Sequence, residues 1–301
     1  FSMPFIRFLL TRICLTTAIQ IQSVAVGWQV FDLTQDPLYL GYIGLAEALP
    51  SLSVALLAGY ISDHYNKKTV ALVSQLITLF SVSWLIIFTH LDFSVDAKVM
   101  GLFFSMFLNG LGRGFFSPSM ASIFGQVVPK EHYVRAATWN TGGWQFAAII
   151  GPVMAGFLFN SMGVGFTYWI EFGLIALSIL ALAPMQGQFV NQHPLKLKLK
   201  ASIQEGLDFV FNNKIILGAM SLDLFAVLFG GAVALLPVFA KDILAVGPSG
   251  LGWLRAAPSI GSALMIIAML FFLPIKKKKK ILLFVVSGFG LCMIGFALSE
   301  N

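Results

Sequence analysis

The sequence predicts an all-α polytopic membrane protein, and three observations carry that class. Of 301 residues, 58% are hydrophobic and only 11% charged, against roughly 25% charged in a soluble domain. Apolar runs recur along the whole chain, each close to the ~20 residues a helix needs to cross a bilayer. The basic residues between those runs fall almost entirely on one side.

Nine spans are read, at 7–31, 38–61, 69–90, 98–124, 136–158, 163–186, 214–240, 250–275 and 281–299. The first follows Arg7 as the apolar part of a signal peptide would. More spans of the same kind come after it, so it is read as the first helix. The breaks between spans are short except for 187–213. That segment holds Lys196, Lys198 and Lys200, then Ile203, Leu207, Phe209 and Val210 on one face of a candidate interfacial helix. The expected organisation is a six-helix bundle over 1–186, a cytoplasmic linker over 187–213 and a three-helix piece over 214–301.

With the N-terminus in the cytoplasm, fourteen Lys and Arg lie inside, among them Lys67, Lys68 and the run Lys276 to Lys280. Only Lys98 and Lys241 lie outside, and Arg12, Arg113 and Arg255 fall within spans. This bias orients an integral membrane protein, so the net charge of +6 is not read as nucleic-acid binding. Cys14 and Cys292 both sit in apolar spans, with neither a disulfide framework nor a zinc spacing. The four histidines, 64, 90, 132 and 193, lie in or beside loops without metal-ligand spacing. No cofactor, no metal and no enzyme chemistry is expected, since no nucleophile–base arrangement is present. GLGRG, from Gly110 to Gly114, lies inside a span and is read as close helix packing, not as a phosphate loop.

A shift of 208 residues aligns GLAEALPSLSVAL, from Gly44, with GWLRAAPSIGSAL, from Gly252. Span 2 then corresponds to span 8, and span 1 to span 7. Parallel six-helix halves with a site between them are one plan of secondary transporters. On that plan the second half of this chain lacks three helices.

The stretch GYISDHYNKKTV between spans 2 and 3 resembles the loop signature of the major facilitator superfamily, G-x-L-A-D-R-x-G-R-R/K. Gly59, Asp63, Lys67 and Lys68 match it, while Ile61, His64 and Asn66 depart from it. Asn66 replaces a glycine and is expected to tolerate a left-handed backbone there. IIGPVMAGF, with Gly151, Pro152 and Gly156, resembles the antiporter motif of exporting members, and Arg113 the arginine of proton-coupled ones. The run from Val24 to Pro50 is similar to the branch that contains the enterobactin exporter.

The resemblance implies a truncated major facilitator fold: a six-helix N-terminal bundle and the first three helices of the C-terminal bundle. It implies a monomer in the bacterial cytoplasmic membrane that exports a small, amphiphilic, drug-like or siderophore-like compound against protons. Uptake by the same fold and a non-transporting receptor or scaffold are the alternatives. Asp63 resembles the family's gating carboxylate, and Gly59 is expected to permit close helix approach.

The family's first and fourth helices line its cavity. Thr16, Gln20 and Ser23 share a face of span 1, and Ser105, Asn109, Arg113 and Ser117 run at four-residue steps along span 4. Both stripes are candidate cavity wall; the alternative is hydrogen bonding that only holds helices together. Glu47 and Arg255 occupy equivalent places in the repeat and are candidates for polar contact between halves, or for separate local pairing. Asp223 in span 7 and Glu171 in span 6 join Arg113 as proton-coupling candidates. A carboxylate that alternates between an apolar and a cationic environment can take up and release a proton. Arg12, five residues into span 1, is read as snorkelling to the inner surface.

Overall fold

The computed structural model describes residues 2–186, 208–229, 231–271 and 278–299, and among these there are helices and no strand. Helix α1 (Met3–Thr34) starts with Pro4 in its first turn, where a missing N–H costs nothing. Helices α2 (Leu38–His64), α3 (Lys67–His90) and α4 (Val95–Val127) follow. The helical stretch Tyr133–Leu182 is broken at Gly163, whose φ of 81° and ψ of 172° reverse the chain. It therefore forms two crossings, α5 (133–162) and α6 (164–182). Glycine meets that positive φ without a Cβ clash.

Helix α7 is Lys214–Phe229, α8 is Gly247–Phe271 and α9 is Lys278–Ala297. The seventh expected span is not one helix to residue 240. α7 is described to Phe229, and from Gly231 tight 3-10 and wide π turns carry the chain through Pro237 to Ile243. Glycine is a poor helix former and proline lacks the N–H to continue one. The Lys196 to Lys200 run and most of the expected interfacial helix lie outside the described residues, although 208–212 are helical.

Burial is inverted relative to a water-soluble protein. Large apolar side chains such as Leu52, Met100 and Leu180 face outward, while Gln75, Ser81, Asn109 and Glu171 are fully enclosed. Lipid tails solvate the first group, and interhelical hydrogen bonds satisfy part of the second. Gln22 Nε2 donates to Ser81 Oγ (3.0 Å) and Ser105 Oγ (2.8 Å), which ties α1, α3 and α4 together. Among the described residues six stretches, counting 130–182 once, are long and apolar enough to cross a membrane.

Two ends can be distinguished. The basic end carries Arg7, Lys67, Lys68 and Lys130, and the far end carries Asp36, Asp92, Lys241 and Asp242. At the basic end, Arg7 donates to the Pro184 carbonyl (3.1 Å) and Lys68 Nζ to the Met185 carbonyl (2.8 Å). These cations satisfy carbonyls at the C-terminal end of α6, where positive charge also suits the helix dipole. Phe124 stacks near Phe8 (5.6 Å) and Tyr133 (5.0 Å), closing α1, α4 and α5 over that end.

Candidate functional site: a cavity between α1, α4 and α5

The GYISDHYNKK turn is built by capping. α2 stops at His64, and the Asn66 side chain accepts from the backbone N–H groups of Lys68 (3.0 Å) and Thr69 (3.3 Å). Asn66 has φ −64° and ψ 113°, so it is extended and not left-handed. Its oxygen, which a glycine lacks, satisfies two orphan donors of α3. A Cβ on Gly59 would meet open space among the described residues, so no close approach is made there. Lys67 is buried, and the Asp63 side chain lies outside the described atoms.

α4 approaches α2 through glycines. A Cβ on Gly110 would overlap the Glu47 carbonyl oxygen, and one on Gly114 would meet Val54 and Ser51. That approach brings the Arg113 guanidinium onto the Glu47 carboxylate as an ion pair within one bundle. Glu47 is mostly covered, whereas the Arg113 side chain is half exposed, into a cavity. Arg255 donates instead to Ser23 Oγ on α1 (3.0 Å), a contact between α8 and the first bundle.

The cavity has a volume of about 170 Å³. Its polar wall is Arg12, Thr16 and Gln20 from α1 with Arg113 and Ser117 from α4. Its apolar wall includes Phe116, Met120 and Trp144. Arg12 is thus a wall residue here. Spacing held the signal: Arg12, Thr16 and Gln20 stand at four-residue steps on one face. Trp144 carried no such signal, because its placement depends on how α5 crosses α1.

Ser105 and Asn109 do not reach this cavity; both are fully buried inside the bundle. Each four-residue step drifts about 40° round a helix of 3.6 residues per turn. Between residues 105 and 117 the stripe turns by about 120°, from bundle interior to cavity. Glu171 is likewise enclosed, with neither carboxylate oxygen bonded to a described group, and Asp223 is exposed on α7.

α5 meets α8 along one half only. A Cβ on Gly156 would lie 2.5 Å from the Pro248 carbonyl oxygen, and one on Gly252 would lie 2.5 Å from that of Pro152. Gly151 faces the other way, 2.6 Å from Gln20 Cβ on α1 by the same construction. Ser249 Oγ bonds the Gly156 carbonyl (3.4 Å), and Lys241 pairs with Asp32 (2.5 Å), so the far end is closed. Nearer the middle of the interface, Gln145 Nε2 donates to the Ser259 carbonyl. Beyond it the helices part around a groove of about 810 Å³, lined by Tyr133, Thr138 and Phe146 of α5 and by Ile266 and Ile267 of α8.

The family model for the Major Facilitator Superfamily matches residues 8–301. The chain belongs to that superfamily. Its relatives include the multidrug efflux pump Tap of Mycolicibacterium fortuitum, 27% identical over 259 residues, covering 81% of this chain and 61% of Tap. The nitrite extrusion protein of Bacillus subtilis (strain 168) is 26% identical, over 92% of this chain and 68% of its own. The chain thus spans about three fifths of Tap. Among solved superfamily folds, a D-xylose-proton symporter superposes with TM-score 0.66 at 14% identity, covering 89% of this chain and 69% of the symporter. The peptide-family transporter PepTSo gives 0.56 at 15% identity, covering 87% and 52%. Superfamily membership agrees with the expected family and with the all-helical expectation.

Proposed function

We propose that the protein is a secondary active transporter that exports a small amphiphilic organic compound in exchange for protons, by alternating access. One observation carries this reading. α5 is clamped to α8 at the far end by glycine contacts and parts from it around an apolar groove towards the basic end. Two such arrangements, exchanged by rocking one bundle on the other, move a solute across the bilayer.

Residues 1–186 act as one bundle, 187–213 as the linker and 214–301 as part of the second. The Lys and Arg bias supports an N-terminus and a basic end on the cytoplasmic side of a bacterial membrane. The clamped state is then the inward-facing one. Outward movement is supported by the two relatives named for efflux and extrusion. Arg113 and Glu47 supply a charge pair at the cavity, and Asp223, Glu171 and Arg113 are the groups proposed to couple protons. Asp63 with Gly59, Lys67 and Lys68 governs switching, and the protein works as a monomer.

The test is reconstitution into proteoliposomes preloaded with a fluorescent dye of either charge, ethidium as the cation or 1-anilinonaphthalene-8-sulfonate as the anion. An imposed pH gradient should drive dye movement, and Asp223→Asn should abolish that movement while leaving insertion intact. Dye flux indifferent to the gradient would remove the proton coupling. No flux with any gradient would remove the transport reading.

A further inference from the structure

Arg12 stands out once Arg113 is accounted for. Arg113 has its carboxylate, but Arg12 makes no hydrogen bond or ion pair with a described residue. It lies nine residues into a 32-residue apolar helix. A cation inside a span is costly to insert, and such residues face protein or a water-filled space. Here Arg12 faces the same cavity as Arg113, so two guanidinium groups share one small chamber, and the carboxylate paired with them among the described residues is that of Glu47. Thr16, Gln20 and Ser117 add neutral hydrogen-bonding groups to that wall, while Phe116, Met120 and Trp144 form an apolar floor beside it.

We propose that this chamber is an anion subsite, in which Arg12 and Arg113 hold the carboxylate, sulfonate or phosphate of an amphiphilic cargo. The proposal deepens the transport reading and rests on it for the word cargo. Guanidinium groups match oxyanions through paired N–H donors. A flat apolar body attached to the anion meets Trp144 and Phe116. Glu47 occupies Arg113 while the subsite is empty, so the incoming anion competes with Glu47 for one guanidinium.

Binding is measured calorimetrically on the purified protein in detergent, with 2-naphthoate, naphthalene-2-sulfonate, 2-naphthol and 2-naphthylmethylammonium as matched probes. Both anions should bind at least about tenfold more tightly than the alcohol or the ammonium. Arg12→Gln should erase that preference, and it should fold, since no described ion pair is broken. Arg113→Gln strands Glu47, so it is also made together with Glu47→Gln. Glu47→Gln alone should tighten anion binding severalfold by freeing Arg113; a purely structural role for the pair would instead weaken it. Equal binding of all four probes, or anion binding unchanged by Arg12→Gln, would overturn the subsite. Displacement of 2-naphthoate by equimolar sodium nitrite would assign the chamber to small inorganic anions and overturn the amphiphilic cargo. No gradient is present, so these outcomes are independent of the proteoliposome result: selective anion binding without flux removes transport alone, and flux without it removes this subsite alone.

Discussion

The two halves of α5 solve different problems. From Gly151 to Gly156 the helix presents so little side chain that the backbone carbonyls of Pro152 and Pro248 nearly touch the glycines opposite them. From Tyr133 to Ile149 it presents ordinary side chains to a groove shared with Ala263, Ile266 and Ile267. One half is a contact that only missing Cβ atoms permit, and the other leaves space between two helices. A protein that must open one end and close the other needs a surface that seals tightly yet holds no long side chains in place.

That comparison can be broken most directly at Gly252. Gly252→Leu places a branched side chain against the Pro152 carbonyl, so the far end should no longer seal. Dye export should fall to background, and labelling of a cysteine at Val246 should rise; normal export would mean that the glycine contact is dispensable. Gly156→Ala is milder. Its Cβ meets the Pro248 carbonyl, and overpacking of this kind costs about 1–3 kcal/mol, to be read as a lower melting temperature in detergent. Next comes Gln145→Leu, which removes the hydrogen bond to the Ser259 carbonyl. A net loss of about 1 kcal/mol in the closed arrangement is expected, seen as faster exchange between arrangements by single-molecule fluorescence. Asp32→Asn should do least. That pair is half exposed to solvent on the acid side, and such bridges are worth about 0–1 kcal/mol and are screened by salt. In the other half of α5's interface, Ile267→Ala should leave far-end sealing unchanged.

Much of this architecture is written in hydropathy, because a bilayer leaves a helix few alternatives to a long apolar run. The first six spans, the reversal near Gly163 and the place of the Asn66 turn all follow from composition. The glycine motif at 151–156 is equally plain, but which neighbour each glycine meets is not. Gly151 and Gly156 lie five residues apart, so they face different helices, α1 and α8. Polar residues were the hardest to place. The 105–117 stripe divides between bundle and cavity because four-residue steps drift round the helix. Arg12 carries the same sequence signal whether it snorkels or lines a chamber. The Arg255 bond to Ser23 and the Gln145 bond to the Ser259 carbonyl depend on the angle between bundles, which no local pattern encodes.

The central claim is that α5 and α8 exchange a closed far end for a closed basic end. Electron-spin distance measurements test it, on a protein carrying Cys14→Ser and Cys292→Ser with paired labels. One pair, Ser161 and Val246, reports the far end; the other, Thr138 and Ile267, reports the basic end. On adding a transported dye and acidifying the sample, the first distance should lengthen while the second shortens. Two distances that stay fixed, or that lengthen together, would contradict the claim.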